Sequence, residues 1–116
     1  MFVENSFSNS STKFYEYDLN NDSIQLKYEM IGESRNLNLS PTNDVLVFEY
    51  GLIGEAKNIW KFDFEFENLT QLTFKYGLMP NWNKDGTKIT YVAGGIWTMN
   101  SDGSNKENIK PVRYLD

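Results

Sequence analysis

The sequence predicts an all-β chain built from repeated, antiparallel, four-stranded units. Three observations carry the prediction. The first is a repeat: Ile59-Trp60 and Ile96-Trp97 lie 37 positions apart, and each runs on through an alternating apolar residue to a polar turn residue, Phe62-Asp63 and Met99-Asn100. The second is local composition. Short runs of β-branched and aromatic residues, the types that fit a pleated, half-buried surface, fill the units, and no stretch keeps a 3.6-residue period long enough for a helix. The third is punctuation, because clusters of Asn, Asp, Ser and Gly recur at the same places in each unit and supply turns.

The elements follow in order. Phe14-Tyr15-Glu16-Tyr17-Asp18 has the shape of Ile59-Trp60-Lys61-Phe62-Asp63, 45 positions earlier. Leu46-Val47-Phe48 matches Ile89-Thr90-Tyr91 at an offset of 43, and Leu72-Thr73 matches Ile109-Lys110 at 37. An insertion of six residues between Phe48 and Ile59 reconciles the two offsets. Within a unit, a short apolar stretch (Leu37–Leu39; Met79–Trp82) leads into a turn, Ser40-Pro41-Thr42-Asn43-Asp44 or Asn83-Lys84-Asp85-Gly86. Asp-Gly supplies the positive φ a tight hairpin demands, and Asp85 and Asp102 are expected to satisfy nearby backbone N–H groups. Second strands follow at Val45–Tyr50 and Lys88–Val92, third strands at Asn58–Phe64 and Gly95–Met99, and fourth strands at Leu69–Thr73 and Glu107–Lys110. Four antiparallel strands repeating at about 40 residues is the pattern of a β-propeller blade. The expected organisation is an N-terminal tail at 1–12, a half blade at 13–28, a degenerate full blade at 36–73, a well-matched full blade at 79–110 and a C-terminal tail at 111–116. That is about two and a half blades, an incomplete or fragmentary propeller, since propellers close with roughly four to eight.

The segment from Pro80 to Lys106 resembles the blade repeat of TolB-like (WD40-like) propellers, whose pattern runs Pro-x-Trp-Ser-Pro-Asp-Gly, an apolar strand, then Ile-aromatic-x-Met-Asn-x-Asp-Gly. The matching positions are Pro80, Trp82, Asp85, Gly86, Ile89, Tyr91, Ile96, Trp97, Met99, Asn100, Asp102 and Gly103. Asn83 and Lys84 depart from Ser-Pro, which the preceding copy keeps as Ser40-Pro41, while Thr42 and Asn43 replace Asp-Gly there. The resemblance covers roughly residues 13–110. It implies a repeat protein of bacterial type, in the periplasm or cell envelope, that acts as a non-catalytic binding module. The alternative it allows is the propeller portion of a prolyl oligopeptidase-type peptidase whose catalytic domain lies elsewhere. The opening residues carry neither a basic nor an apolar leader segment, so no signal peptide is read in this chain.

Composition excludes much chemistry. The 116 residues hold 16 acidic and 11 basic side chains, a formal charge of -5, so nucleic acid is not an expected partner. There is no cysteine and no histidine, which removes disulfides, thiolate catalysis, Cys/His zinc sites and every triad with an imidazole base. Apolar runs are far short of the roughly 20 residues of a spanning helix, so membrane insertion is not expected. Asn100-Ser101-Asp102-Gly103-Ser104-Asn105 has a passing likeness to a calcium loop, but the twelfth position from Asn100 is Pro111, where a glutamate would be needed. A strand-connecting turn is the better reading, and no metal or cofactor is expected. Glu65 and Glu67 flank Phe66 on one strand face without a second carboxylate cluster, which argues against a glycosidase pair. The triplets headed by Asn9, Asn21, Asn38 and Asn68 are chance products of a chain with 14 asparagines.

The remaining candidates are structural or belong to an interface. Trp60, Trp82 and Trp97 could stack on a carbohydrate, but their place in the repeats favours packing between blades, with Trp60 and Trp97 largely buried. Connections alternate between the two ends of an antiparallel blade. The insertion Gly51–Lys57 and the inter-blade loops, expected at Met30–Asn36 and Phe74–Leu78, therefore share one end. That end gathers Leu52, Ile53, Tyr76 and Leu78: either Leu52 and Ile53 fold back over a core edge, or the four are the candidate contact patch for a protein partner, a further blade or a second copy. The opposite end, with Thr42–Asp44, Lys84–Gly86 and Ser101–Lys106, is polar and expected to face solvent.

Overall fold

A computed structural model of the chain describes residues 2–6 and 11–111, with no helix among them. Eleven strands form three antiparallel sheets in chain order: β1 (Phe2–Ser6), β2 (Ser11–Asp18) and β3 (Ser23–Ile31); β4 (Glu33–Leu39), β5 (Val45–Gly51), β6 (Asn58–Asp63) and β7 (Asn68–Gln71); β8 (Leu78–Trp82), β9 (Lys88–Val92), β10 (Gly95–Asn100) and β11 (Glu107–Pro111). Every sheet is a meander in which each strand pairs with its sequence neighbour. The three are successive propeller blades.

Several boundaries differ from expectation. The segment expected as a tail at 1–12 holds β1, which pairs with β2 from Phe2↔Tyr15 to Ser6↔Ser11, so the half blade expected at 13–28 is a three-stranded sheet reaching Ile31. The linker expected at Met30–Asn36 shrinks to Gly32, because β4 already starts at Glu33. Strand β4 continues through its turn-forming Asn36 by a bulge: Asn36 takes φ +53 and the register shifts between Arg35 and Asn38. The same device recurs 43 positions later, where Met79 takes φ +53 and β8 shifts register between Leu78 and Asn81. Of the tail expected at 111–116, Pro111 ends β11, and 112–116 lie outside the described residues.

The hairpin turns repeat by chemistry rather than by residue identity. Asn83 N donates to Lys88 O at 3.0 Å and Gly86 N to Asn83 O at 3.1 Å; in the earlier copy Ser40 N donates to Val45 O at 2.8 Å and Asn43 N to Ser40 O at 2.9 Å. The positive-φ corner is Gly86 (+75) in one and Asn43 (+63) in the other. Inside each turn a carboxylate accepts a hydroxyl, but the partners are exchanged: Thr87 donates to Asp85 at 2.6 Å, whereas Thr42 donates to Asp44.

Packing is face to face, because one side of each blade has only the next blade to cover it. Between the first two sheets, Phe14, Met30, Leu46, Phe48, Phe62 and Phe64 form a layer in which Phe14 and Phe62 stack at 4.9 Å and 7°. Between the second and third, Val47, Ile59 and Leu72 meet Ile89, Tyr91 and Met99. Asn38 in β4 ties the first strands together, its side chain accepting from Trp82 N at 3.0 Å and its carbonyl from Trp82 Nε1 at 3.2 Å.

Two stability outcomes follow. Gly86→Val should lower the denaturant midpoint by the equivalent of about 1 kcal/mol or more, since a β-branched residue resists positive φ. Its Cβ would also stand 3.3 Å from Pro41 Cδ. An unchanged midpoint would show that the corner does not need glycine. Phe62→Ala removes a fully buried ring and should cost about 3–5 kcal/mol. Trp97→Ala, at a half-buried position, should cost measurably less in the same melts; the reverse order would contradict the layer assignment.

Candidate functional site

The connections expected at one end do meet there. The β5–β6 connection closes with Glu55 N donating to Leu52 O at 3.1 Å and Gly54 at φ +82. Gly77, at the end of the β7–β8 linker, donates its N–H to Lys57 O at 3.0 Å. Tyr76 of the same linker sets its hydroxyl against Gly94 in the β9–β10 turn, 3.1 Å from where a Cβ would stand. Leu52 (43%), Ile53 (59%) and Tyr76 (42%) are exposed rather than folded over the core edge. Leu78 is half-buried as the first residue of β8 and lines a small cavity with Arg35, Asn36, Glu49 and Met79. Sequence reasoning missed Phe74, which is 72% exposed on the linker beside Tyr76.

The tryptophans divide by strand. Trp60 in β6 and Trp97 in β10 are equivalent, each turned toward the preceding blade, and both are half-buried rather than fully buried. Trp82 is half-buried in β8, and Pro80 is buried in the same strand. The two equivalent indoles differ in cover. Tyr50 meets Trp60 edge-on at 5.3 Å and 84°. Trp97 has Ala93 at that place, and a cavity of about 390 Å³ opens there between the second and third blades.

At the polar end, Asp85 accepts from Thr87 N at 3.1 Å, and Asp102 accepts from Ser104 N at 2.9 Å with Gly103 at φ +89. Gly103 lies against Leu72, so this loop leans onto the neighbouring blade. The carboxyls of Asp44, Asp85 and Asp102 are held below the ordinary carboxylate range, first by the hydroxyls of Thr42, Thr87 and Ser104 respectively. Burial raises the phenol of Tyr91. Among the described residues no three acidic side chains cluster as metal ligands.

Glu49 is the polar group the sequence pattern hid. It is 2% exposed in β5, yet its carboxylate receives Arg35 Nε at 3.2 Å, Met79 N at 2.8 Å and the amide of Asn36. A buried carboxylate needs such donors. Both bulges therefore converge on it, and it fastens the first strand of one blade to the first strand of the next. The only sequence signal was an acid inside the apolar run Val45–Tyr50.

Because the folded-state values of Asp44, Asp85 and Asp102 are depressed from 3.8, their contribution to stability is present above that value and is lost as pH falls through the folded values. Thermal melts should therefore hold steady down to about pH 5 and fall below it. Asp85→Asn, which keeps an acceptor oxygen, should flatten that fall; an unchanged acid slope would count against these hydrogen bonds.

No family model and no curated protein sequence matches the chain. Solved structures do. A protein designated TolB from Agrobacterium tumefaciens superposes with a TM-score of 0.63 at 19% identity, over 95% of this chain and 46% of that one. An oligogalacturonate lyase from Vibrio parahaemolyticus gives 0.67 at 15% identity, over 96% and 40%. The β-propeller domain of the trilobed protease from Pyrococcus furiosus gives 0.64 at 16%, over 94% and 38%. The chain spans less than half the length of each. Its fold is that of a β-propeller, of which the described residues form three consecutive blades.

Proposed function

We propose that the chain is a non-catalytic β-propeller module that binds a protein partner through the end carrying Leu52, Ile53, Phe74 and Tyr76. The observation that carries this is their joint exposure on connections fixed by hydrogen bonds, since clustered apolar groups on a surface mark contact sites. The absence of histidine and cysteine from the sequence supports a binding role over a hydrolytic one. The peptidase alternative has only fold likeness in its favour, and fold does not dictate function.

The outer face of the third blade fits further blades, supplied by a longer chain or a second copy. Ile96 (38% exposed) and Ile109 (57%) stand where Ile59 (0%) and Leu72 (1%) are covered in the second blade. Asn81 repeats the position of Asn38, the clamp on Trp82, and is exposed. A photo-crosslinking residue placed at Ile53, compared with one at Lys84 on the polar end, tests the partner assignment in cells producing the protein. Discrete protein adducts from position 53 and none from 84 are expected. Adducts from 84 alone, or from neither, would overturn it.

A further inference from the structure

We infer that the cavity between the second and third blades is a binding site for a small carboxylate carrying one ring whose face can stack on an aromatic side chain. This goes beyond the protein contact proposed above, with which it shares Phe74 and Tyr76 as bordering residues, and its test uses small molecules alone, so its failure is distinguishable from failure of the cross-linking.

The cavity comes from one residue change within the repeat. Where Tyr50 fills the space over Trp60, the equivalent Ala93 leaves the space over Trp97 open, and the volume of about 390 Å³ lies within the range of small-molecule pockets, roughly 300–1,000 Å³. Its described walls are the linker from Thr73 to Tyr76 and the third blade, so they do not depend on further blades. Those walls are also held in place. Trp97 Nε1 donates to Ala93 O at 3.0 Å, and Tyr91 lies nearly parallel to Trp97 at 6.5 Å and 25°. The linker bearing Tyr76 is pinned at both ends: Thr73 Oγ1 accepts from Ile59 N at 2.9 Å and donates to Asn58 Oδ1 at 2.8 Å, while Gly77 N reaches Lys57 O. Gly77 packs so closely that a Cβ would stand 2.8 Å from Ile59 Cγ1. A preformed aromatic wall binds a ring at low entropic cost.

Charge selects the second half of the ligand. The described lining carries Lys75 and Lys106 and no carboxylate, in a chain whose formal charge is -5. Lys106 borders the cavity from the β10–β11 turn, where its Nζ donates to Gly103 O at 2.6 Å and keeps two further N–H donors. An aromatic acid and a uronic acid sugar share this chemistry.

Calorimetric titration with indole-3-acetate and with D-glucuronate, each beside its neutral counterpart (indole-3-acetamide, glucose), tests the site and distinguishes the two sources. Saturable binding of one acid is expected, weakened about tenfold or more in its neutral counterpart and in the Lys75→Gln/Lys106→Gln variant. Ala93→Tyr, which copies the filled arrangement around Trp60, should abolish it while leaving the far-ultraviolet circular dichroism unchanged. If Ala93→Tyr does not fold, the lysine variant decides. Failure of both acids to saturate at millimolar concentration, or undiminished binding in the lysine variant or in folded Ala93→Tyr, would overturn the site.

Discussion

The burial of one blade face against the next is the constraint on which the structure depends. A meander of four short strands has two faces and cannot cover either by itself. Strand β5 shows the consequence most plainly. Its alternating side chains enter two different layers, Leu46 and Phe48 joining Phe14 and Phe62 on one side, Val47 joining Ile89 and Met99 on the other. A strand buried on both faces reads as a continuous apolar run, which is why the segment from Leu46 to Phe48 shows no alternation in the sequence. Glu49 breaks the run and stays buried because both first-strand bulges bring donors to it.

The repeat was legible because blade architecture fixes the spacing of its turns and of the apolar positions between them. Ile59-Trp60 and Ile96-Trp97 occupy equivalent places in β6 and β10, and the hairpin chemistry of Asn83–Gly86 could be read directly. The start of β4 could not, because a bulge at Asn36 looks like a loop when only residue types are weighed. Strand β1 was missed for a related reason: its pairing with β2 is a property of two segments together. The degenerate turn at Ser40–Asp44 shows the same limit from the other side, since exchanging hydroxyl and carboxylate between Thr42 and Asp44 preserves the geometry while erasing the motif.

The candidate site was partly legible. Alternation of connections put Leu52, Ile53 and Tyr76 at one end, and they are exposed there. Leu78 is half-buried instead of exposed, because its strand begins one residue earlier than the composition of the linker implied. The cavity beside Trp97 depends on which residue lies across the sheet from the indole and on how the linker wraps, neither of which a linear pattern records. Only the equivalence of Tyr50 and Ala93 in the two repeats shows that a place filled in the second blade is left open in the third.

Nuclear Overhauser contacts between side chains of successive blades test the account most directly. Cross-peaks from the methyl groups of Val47 and Ile59 to those of Ile89 and Met99, together with ring contacts between Phe14 and Phe62, are predicted. Their absence, in a protein that still shows antiparallel pairing within each sheet, would contradict the face-to-face layers.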